Sequence, residues 1–165
     1  MAIIKPNNNT ISAITALPAG IVSSDALASG VGGKVLQVVS AFTTGTNSTS
    51  TTSTVTFISA SITPSSSSNK IFCMFNGLGY ANGTNNSLTA LIFRGTIGGT
   101  EICSTKHYDG GSDYHMYGLH CSVLDSPSTT SSQQYTIGFR PEQNLFCNMG
   151  NSGHNCTLTL MEIAG

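Results

Sequence analysis

The stretch from Lys106 to His120, KHYDGGSDYHMYGLH, carries most of the side chains in this sequence that could do chemistry. His107, Asp109, Asp113, His115 and His120 are interleaved there with Tyr108, Tyr114 and Tyr117. Imidazole and carboxylate suit zinc or a similar ion, and His107, Asp109 and His115 are the three groups such an ion would draw on. Their spacing matches no compact metal motif. The Asp109-Gly-Gly run reads equally as a hairpin turn, after which His115, Tyr117 and Leu119 alternate on one strand face. In a threefold assembly, one histidine per chain would meet its symmetry mates at the axis. The same stretch offers recognition: a tyrosine ring has a flat apolar body and a polar tip, which suits a wet contact with a sugar or a protein. Tyr108, Asp109, Asp113, Tyr114, His115 and Tyr117 therefore form the candidate exposed recognition loop. The absence of Trp weighs against sugar stacking.

Catalysis finds less support. Serines, histidines and aspartates are plentiful, but no GxSxG elbow occurs and no nucleophile stands beside a recognisable base. GLGYANG, Gly77–Gly83, has glycines in a dinucleotide-like pattern, yet it leads into turn residues and not a helix. Asp109 and Asp113 flank a turn and are the nearest approach to a carboxylate pair for glycoside hydrolysis, with nothing to desolvate either one. Arg94 and Arg140 end apolar runs and have Glu101 or Glu142 as rim partners, contacts worth at most about 1 kcal/mol. The expectation is a protein that is not an enzyme, with no catalytic, cofactor-binding or resident metal residue and no cofactor.

Composition sets the frame for these residues. Charged residues are 8% of the 165, and Ser, Thr and Asn number 23, 21 and 13. Such small uncharged groups decorate strand faces and turns. Net charge is −1, and the six Lys/Arg are scattered. A nucleic-acid surface needs clustered cations to displace counterions, so no nucleic-acid partner is expected. No run approaches the roughly 20 apolar residues of a membrane span, so no membrane partner is expected either. The start, MAIIKPNNNT, lacks the apolar core and cleavage site of a signal peptide. Five cysteines is an odd number with no CxxC spacing. Cys73, Cys121 and Cys156 lie inside apolar runs, as small buried hydrophobes do. Assembly in a reducing cytoplasm fits this usage better than a disulfide framework.

Two regions divide the chain. Residues 1–33 have two prolines, a Gly-rich end and one weak helix signal, Ser24 before DALA with Gly30 as a stop. Such a segment cannot bury enough surface to fold alone, so it is expected to be an extended docking arm that gains order on another protein. From Lys34 the apolar period becomes two. KVLQVVSAF, STVTFISASITP, KIFCMFNGLGY, SLTALIFRG, a weaker TEICST, YHMYGLHCSVLD, QYTIGFRP, NLFCNM and CTLTLMEIAG read as strands, separated by Gly, Asn, Pro and Ser turns. Eight or nine antiparallel strands over residues 34–165 predict an all-β jelly-roll sandwich. Asp125–Gln134, DSPSTTSSQQ, reads as a bend between two of its strands, since Pro127 cannot join a central ladder. KIFCMF, ALIF and LTLMEI are apolar on both faces, more than one sandwich core uses. The surplus predicts self-association, and cyclic symmetry would bury it in a homotrimer.

Five segments in order, GKVLQVVS, SITPSSSSNKIFCMF, LIFRGT, VLDSPSTTSSQQYTIGFR and CTLTLMEIAG, resemble small virion proteins of tailed bacteriophages, especially cyanophages and other marine phages. The likeness runs over roughly residues 32–165. Versions of that module occur as free capsid decoration (cement) proteins and as distal parts of tail fibres. The resemblance implies a jelly roll like that of tumour-necrosis-factor-like trimers and brings no catalytic residue with it. It implies a virion protein on the capsid surface, with the major capsid protein as partner. The arm would dock there through Ile3, Ile4, Ile11, Ile14, Leu17, Ile21 and Val22. The alternative it leaves open is a tail-fibre or receptor-binding tip, docked on tail proteins and recognising a host glycan or protein.

Overall fold

The computed structural model describes residues 34–83, 85–109 and 115–165. Ten strands follow one another: β1 Val35–Thr43, β2 Asn47–Thr49, β3 Val55–Ile62, β4 Lys70–Ala81, β5 Asn86–Arg94, β6 Thr100–Asp109, β7 Tyr117–Asp125, β8 Gln133–Pro141, β9 Cys147–Met149 and β10 Cys156–Ile163. No helix occurs among the described residues. All strand pairings are antiparallel.

Four of these pairings make one very long hairpin. Ala41 faces Leu158, Ala60 faces Tyr135, Phe75 faces Cys121 and Ala90 faces Thr105. Each pair is centred within about two residues of Gly98, where the chain turns back on itself through Gly95, Gly98 and Gly99. Wrapping this hairpin adds the pairs β4–β10 and β5–β8 and closes the two layers. One layer is the four-stranded sheet β3-β8-β5-β6. The other has six strands in four columns. β4 carries β7 on one edge; its other edge carries β10 over Lys70–Asn76 and then β9 over Gly79–Ala81. β1 and β2 lie beyond β10 and β9. This is the jelly-roll order that the strand spacing predicts.

The core fills the space between the layers. Ile71, Cys73 and Phe75 of β4, Leu158 and Leu160 of β10, and Leu119 and Cys121 of β7 meet Leu88, Ala90 and Ile92 of β5 and Tyr135, Ile137 and Phe139 of β8. Phe57 stands edge-on to both Phe75 and Phe139, with ring centroids 6.3 and 6.1 Å apart, the arrangement that aromatic quadrupoles favour. The GLG of Gly77–Gly79 lies within β4 and forms no nucleotide-binding loop. A Cβ at Gly77 would strike the Phe75 ring, and one at Gly79 the Asn148 carbonyl of β9. Glycine is required there for close approach.

Three differences from the sequence expectations have physical causes. β2 is a three-residue strand inside the polar run TTGTNSTSTTS, where nothing apolar marks it. β6 runs on to Asp109 through Lys106–Tyr108, because its pairing with β5 persists beyond the apolar TEICST. β6 and β7 are not a hairpin: β6 pairs with β5 and β7 with β4, so the chain between them crosses from one sheet to the other. The Asp-Gly-Gly signal marks a reversal but not which partner the next strand takes.

Candidate functional site: the open face of the six-stranded sheet

The alternation of β4 puts Ile71, Cys73 and Phe75 in the core and turns Phe72, Met74, Asn76 and Leu78 outward. The registers of its neighbours build rows across that outer face. Val38, Met161, Phe72 and Leu124 make one row of four apolar side chains from β1, β10, β4 and β7. Ser40, Thr159, Met74 and Ser122 make the next, and Phe42, Thr157, Asn76 and His120 the third. Val38 is 56% exposed, Phe42 69% and Leu124 49%. The three rows contain no Asp, Glu, Lys or Arg. At strand and residue spacings of about 4.8 and 3.4 Å, they span roughly 400 Å², of which the six apolar residues Val38, Met161, Phe72, Leu124, Met74 and Phe42 make up about half. Two shallow grooves cross the face and share Asn76 and His120. His120 Nδ1 and Asn76 Oδ1 lie 3.1 Å apart, an ordinary cross-strand polar pair.

Of the predicted recognition residues, His115 and Tyr117 lie at the start of β7 in this sheet, whereas Tyr108 belongs to the four-stranded sheet. Tyr108 points outward from β6, is 56% exposed and donates its hydroxyl hydrogen to Asn85 Oδ1. His115 is exposed just ahead of β7, its ring centroid 6.2 Å from that of Tyr117. Tyr117 is half-buried and stacks on His107 at 3.4 Å between ring centroids. Asp113, Tyr114 and the side chain of Asp109 lie outside the described residues, as do the arm residues Ile3, Ile4, Ile11, Ile14, Leu17, Ile21 and Val22. Among the described residues no three His, Cys, Asp or Glu side chains converge as metal ligands.

Two acidic residues that sequence reasoning passed over are buried on the inner face. Gln37, Glu162, Ile71 and Asp125 form one inner row, so both carboxylates sit at the same end of the sandwich with Ile71 between them. Glu162 is 1% exposed, covered by the β3–β4 loop. Its Oε1 accepts hydrogen bonds from Ser65 N (2.6 Å), Ser65 Oγ (2.7 Å) and Asn69 Nδ2 (2.6 Å), and its Oε2 from Gln37 Nε2 (2.6 Å). Burial alone would raise its pKa, but the donors of Asn69, Gln37 and Ser65 outweigh that and hold it at about 2. Asp125 Oδ2 accepts a hydrogen bond from the fully buried Tyr135 hydroxyl at 2.8 Å and lies 3.6 Å from Arg94 Nε. Burial first, then this hydrogen bond, pushes the Tyr135 hydroxyl well above its ordinary pKa. Arg94 Nη1 also donates to Ser126 O at 3.2 Å. Arg94 therefore pairs with Asp125, not with the glutamates named as rim partners, whereas Arg140 does lie 3.9 Å from Glu142. These contacts fasten both ends of the SPSTTSS bend, which is a connection between layers. With Ile71 between them, and both Glu162 oxygens and Asp125 Oδ2 engaged by structural partners, the two carboxylates serve packing and not an acid–base pair around a cleft.

Comparison with known proteins gives little more. No protein-family model matches the sequence, and no curated protein does. Among solved structures, the chain is similar to the VP2 subviral particle protein of infectious bursal disease virus, with TM-score 0.40 and 11% identity over 78% of this chain and 38% of that one. It is similar as well to chains of the Gx strain of that virus, with TM-score 0.44 and 11% identity over 78% of this chain and 37% of that one. A third, from its T13 viral particle, has TM-score 0.44 and 10% identity over 78% and 36%. The chain thus spans under two-fifths of the length of the viral chains it resembles.

Proposed function

We propose that this chain is a virion structural protein, most specifically a capsid decoration protein that acts as a homotrimer. The observation that carries the reading is the open sheet face, with its row Val38–Met161–Phe72–Leu124 and the exposed Phe42. That face is uncharged and exposes a continuous apolar row to water. A neighbouring copy of the same chain suits it: the uncharged face meets no charge repulsion, and in a closed threefold ring, where one subunit's face packs on a different surface of the next, every copy has it covered. The five-segment resemblance to phage virion proteins and the jelly-roll topology support the same conclusion.

The work of such a protein is mechanical. A shell under internal pressure parts where its subunits meet. A trimer over a threefold point bridges several subunits there, and three arms from one knob bind multivalently, so modest single contacts give slow release. At about 25 cal/mol per Å² of apolar burial, a few hundred Å² per arm contribute several kcal/mol before ordering costs. In this reading Ile3, Ile4, Ile11, Ile14, Leu17, Ile21 and Val22 anchor the arm on the major capsid protein. The test is removal of residues 1–33: binding to empty heads is lost while the oligomer persists in sizing chromatography. Retained head binding contradicts the arm's role.

The exposed Tyr108 ring favours one other reading, a tail-fibre tip that contacts a host glycan or protein through this loop. Copy number per particle separates the two, since a head protein is present in hundreds and a tail protein in tens or fewer.

A further inference from the structure

The edge where β6 and β7 face each other across the two layers is closed by side chains, not by a ladder. Cys103, Thr105 and His107 of β6 turn inward, as do Tyr117, Leu119 and Cys121 of β7. The His107–Tyr117 stack fixes how the strands face. Stepping back two residues on each strand sets Thr105 opposite Leu119, and two more set Cys103 opposite Cys121. A contact at that end agrees: Cys103 Sγ donates weakly to the carbonyl of Ser122, the residue next to Cys121, at 3.8 Å. Both cysteines are free, Cys121 is buried in the core cluster, and Cys103 is half-buried against it. Of the other buried thiols, Cys147 and Cys156 lie on β9 and β10, away from this edge, whereas Cys73 of β4 faces Val123 of β7 and is the competitor that mapping must distinguish.

We propose that Cys103 and Cys121 form an oxidation site at which a small disulfide, such as oxidised glutathione, installs a covalent bridge between the two sheets. The accessible Cys103 thiolate attacks one sulfur of the glutathione disulfide and expels one glutathione thiolate, leaving a mixed disulfide on Cys103. Cys121 then loses its proton to solvent and attacks the Cys103 sulfur, expelling the second glutathione. Two protein thiols are oxidised and one glutathione disulfide is reduced to two thiols. Burial, and then the neighbouring Cys103, pushes the Cys121 thiol up to about 12. Closure is therefore the slow step near neutral pH and speeds up about tenfold per pH unit. The bridge is a single clip added after folding, compatible with synthesis in a reducing compartment, and it stands apart from the trimer reading.

The test uses the full chain, reduced, freed of reductant and treated with oxidised glutathione at mildly alkaline pH. Intact mass is expected to fall by two hydrogens, and peptide mapping to join Cys103 to Cys121 within one chain. Melting temperature should rise by roughly 5–10 °C. C121S should stop at a glutathione adduct on Cys103, and C103S should yield no bridge. A wild-type chain that keeps glutathione on Cys103, leaves Cys103 unreacted, or joins Cys103 to another cysteine overturns the proposal. Closure at a rate independent of pH removes Cys121 from the resolving role.

Discussion

Glu162 is a single acid in an otherwise apolar strand, and its position in the alternation explains what it does. Cys156, Leu158 and Leu160 point inward, so Glu162 must as well. A buried carboxylate survives only when its oxygens are occupied, and Gln37, Ser65 and Asn69 occupy them. Those donors come from β1 and the β3–β4 loop, so one side chain ties two other parts of the chain to the end of β10. Glu162→Ala should lower unfolding stability by about 3 kcal/mol, since it strands several buried donors. Glu162→Gln should cost only about 1 kcal/mol, because its amide oxygen keeps the Ser65 and Asn69 bonds. Urea denaturation measures both. The depressed pKa also sets a pH dependence. The carboxylate's contribution is complete above its unfolded value of 4.5 and is lost as pH falls towards about 2. In Glu162→Gln that part of the acid sensitivity should disappear. At the neighbouring carboxylate, Tyr135→Phe removes the hydrogen bond from a fully buried hydroxyl to Asp125 and should cost about 1–2 kcal/mol by the same assay.

Among the strands, period-two alternation was enough to find the eight long members of the jelly roll, because each presents one face to a common core. It was not enough for β2, whose Asn-Ser-Thr carries no apolar mark, nor for the last turn of β6, which its ladder with β5 sustains. The crossing between β6 and β7 was illegible for a different reason. A turn signal is local, whereas the choice of partner depends on where β4 and β5 already lie. The outward residues Val38, Phe72, Met161 and Leu124 were visible as surplus apolar positions, but only the registers gather them into one row. The inward acids Asp125 and Glu162 could have been found by extending the alternation past the apolar residues that define it. Gly79 shows how closely strands of one sheet must approach. It pairs with both Tyr117 and Met149, and a Cβ there collides with the Asn148 carbonyl. Gly79→Ala should displace β9 and destabilise by about 2–3 kcal/mol, read as a lower urea midpoint with unchanged slope.

For the whole molecule, one long hairpin wrapped into two layers leaves one sheet face uncharged, with an apolar row beside Ser/Thr rows. That face has the size and neutrality of a surface meant for a copy of itself, and the proposed role on a capsid depends on its being covered that way. Sedimentation equilibrium or native mass spectrometry on the full chain is the most direct measurement. The predicted result is a mass of three chains, which the double substitution V38D/F42D, placing charge at two exposed β1 positions of this face, reduces to one chain without loss of β-sheet circular dichroism. A wild-type protein that sediments as a monomer at concentrations well above micromolar, with this face open to solvent, would contradict it.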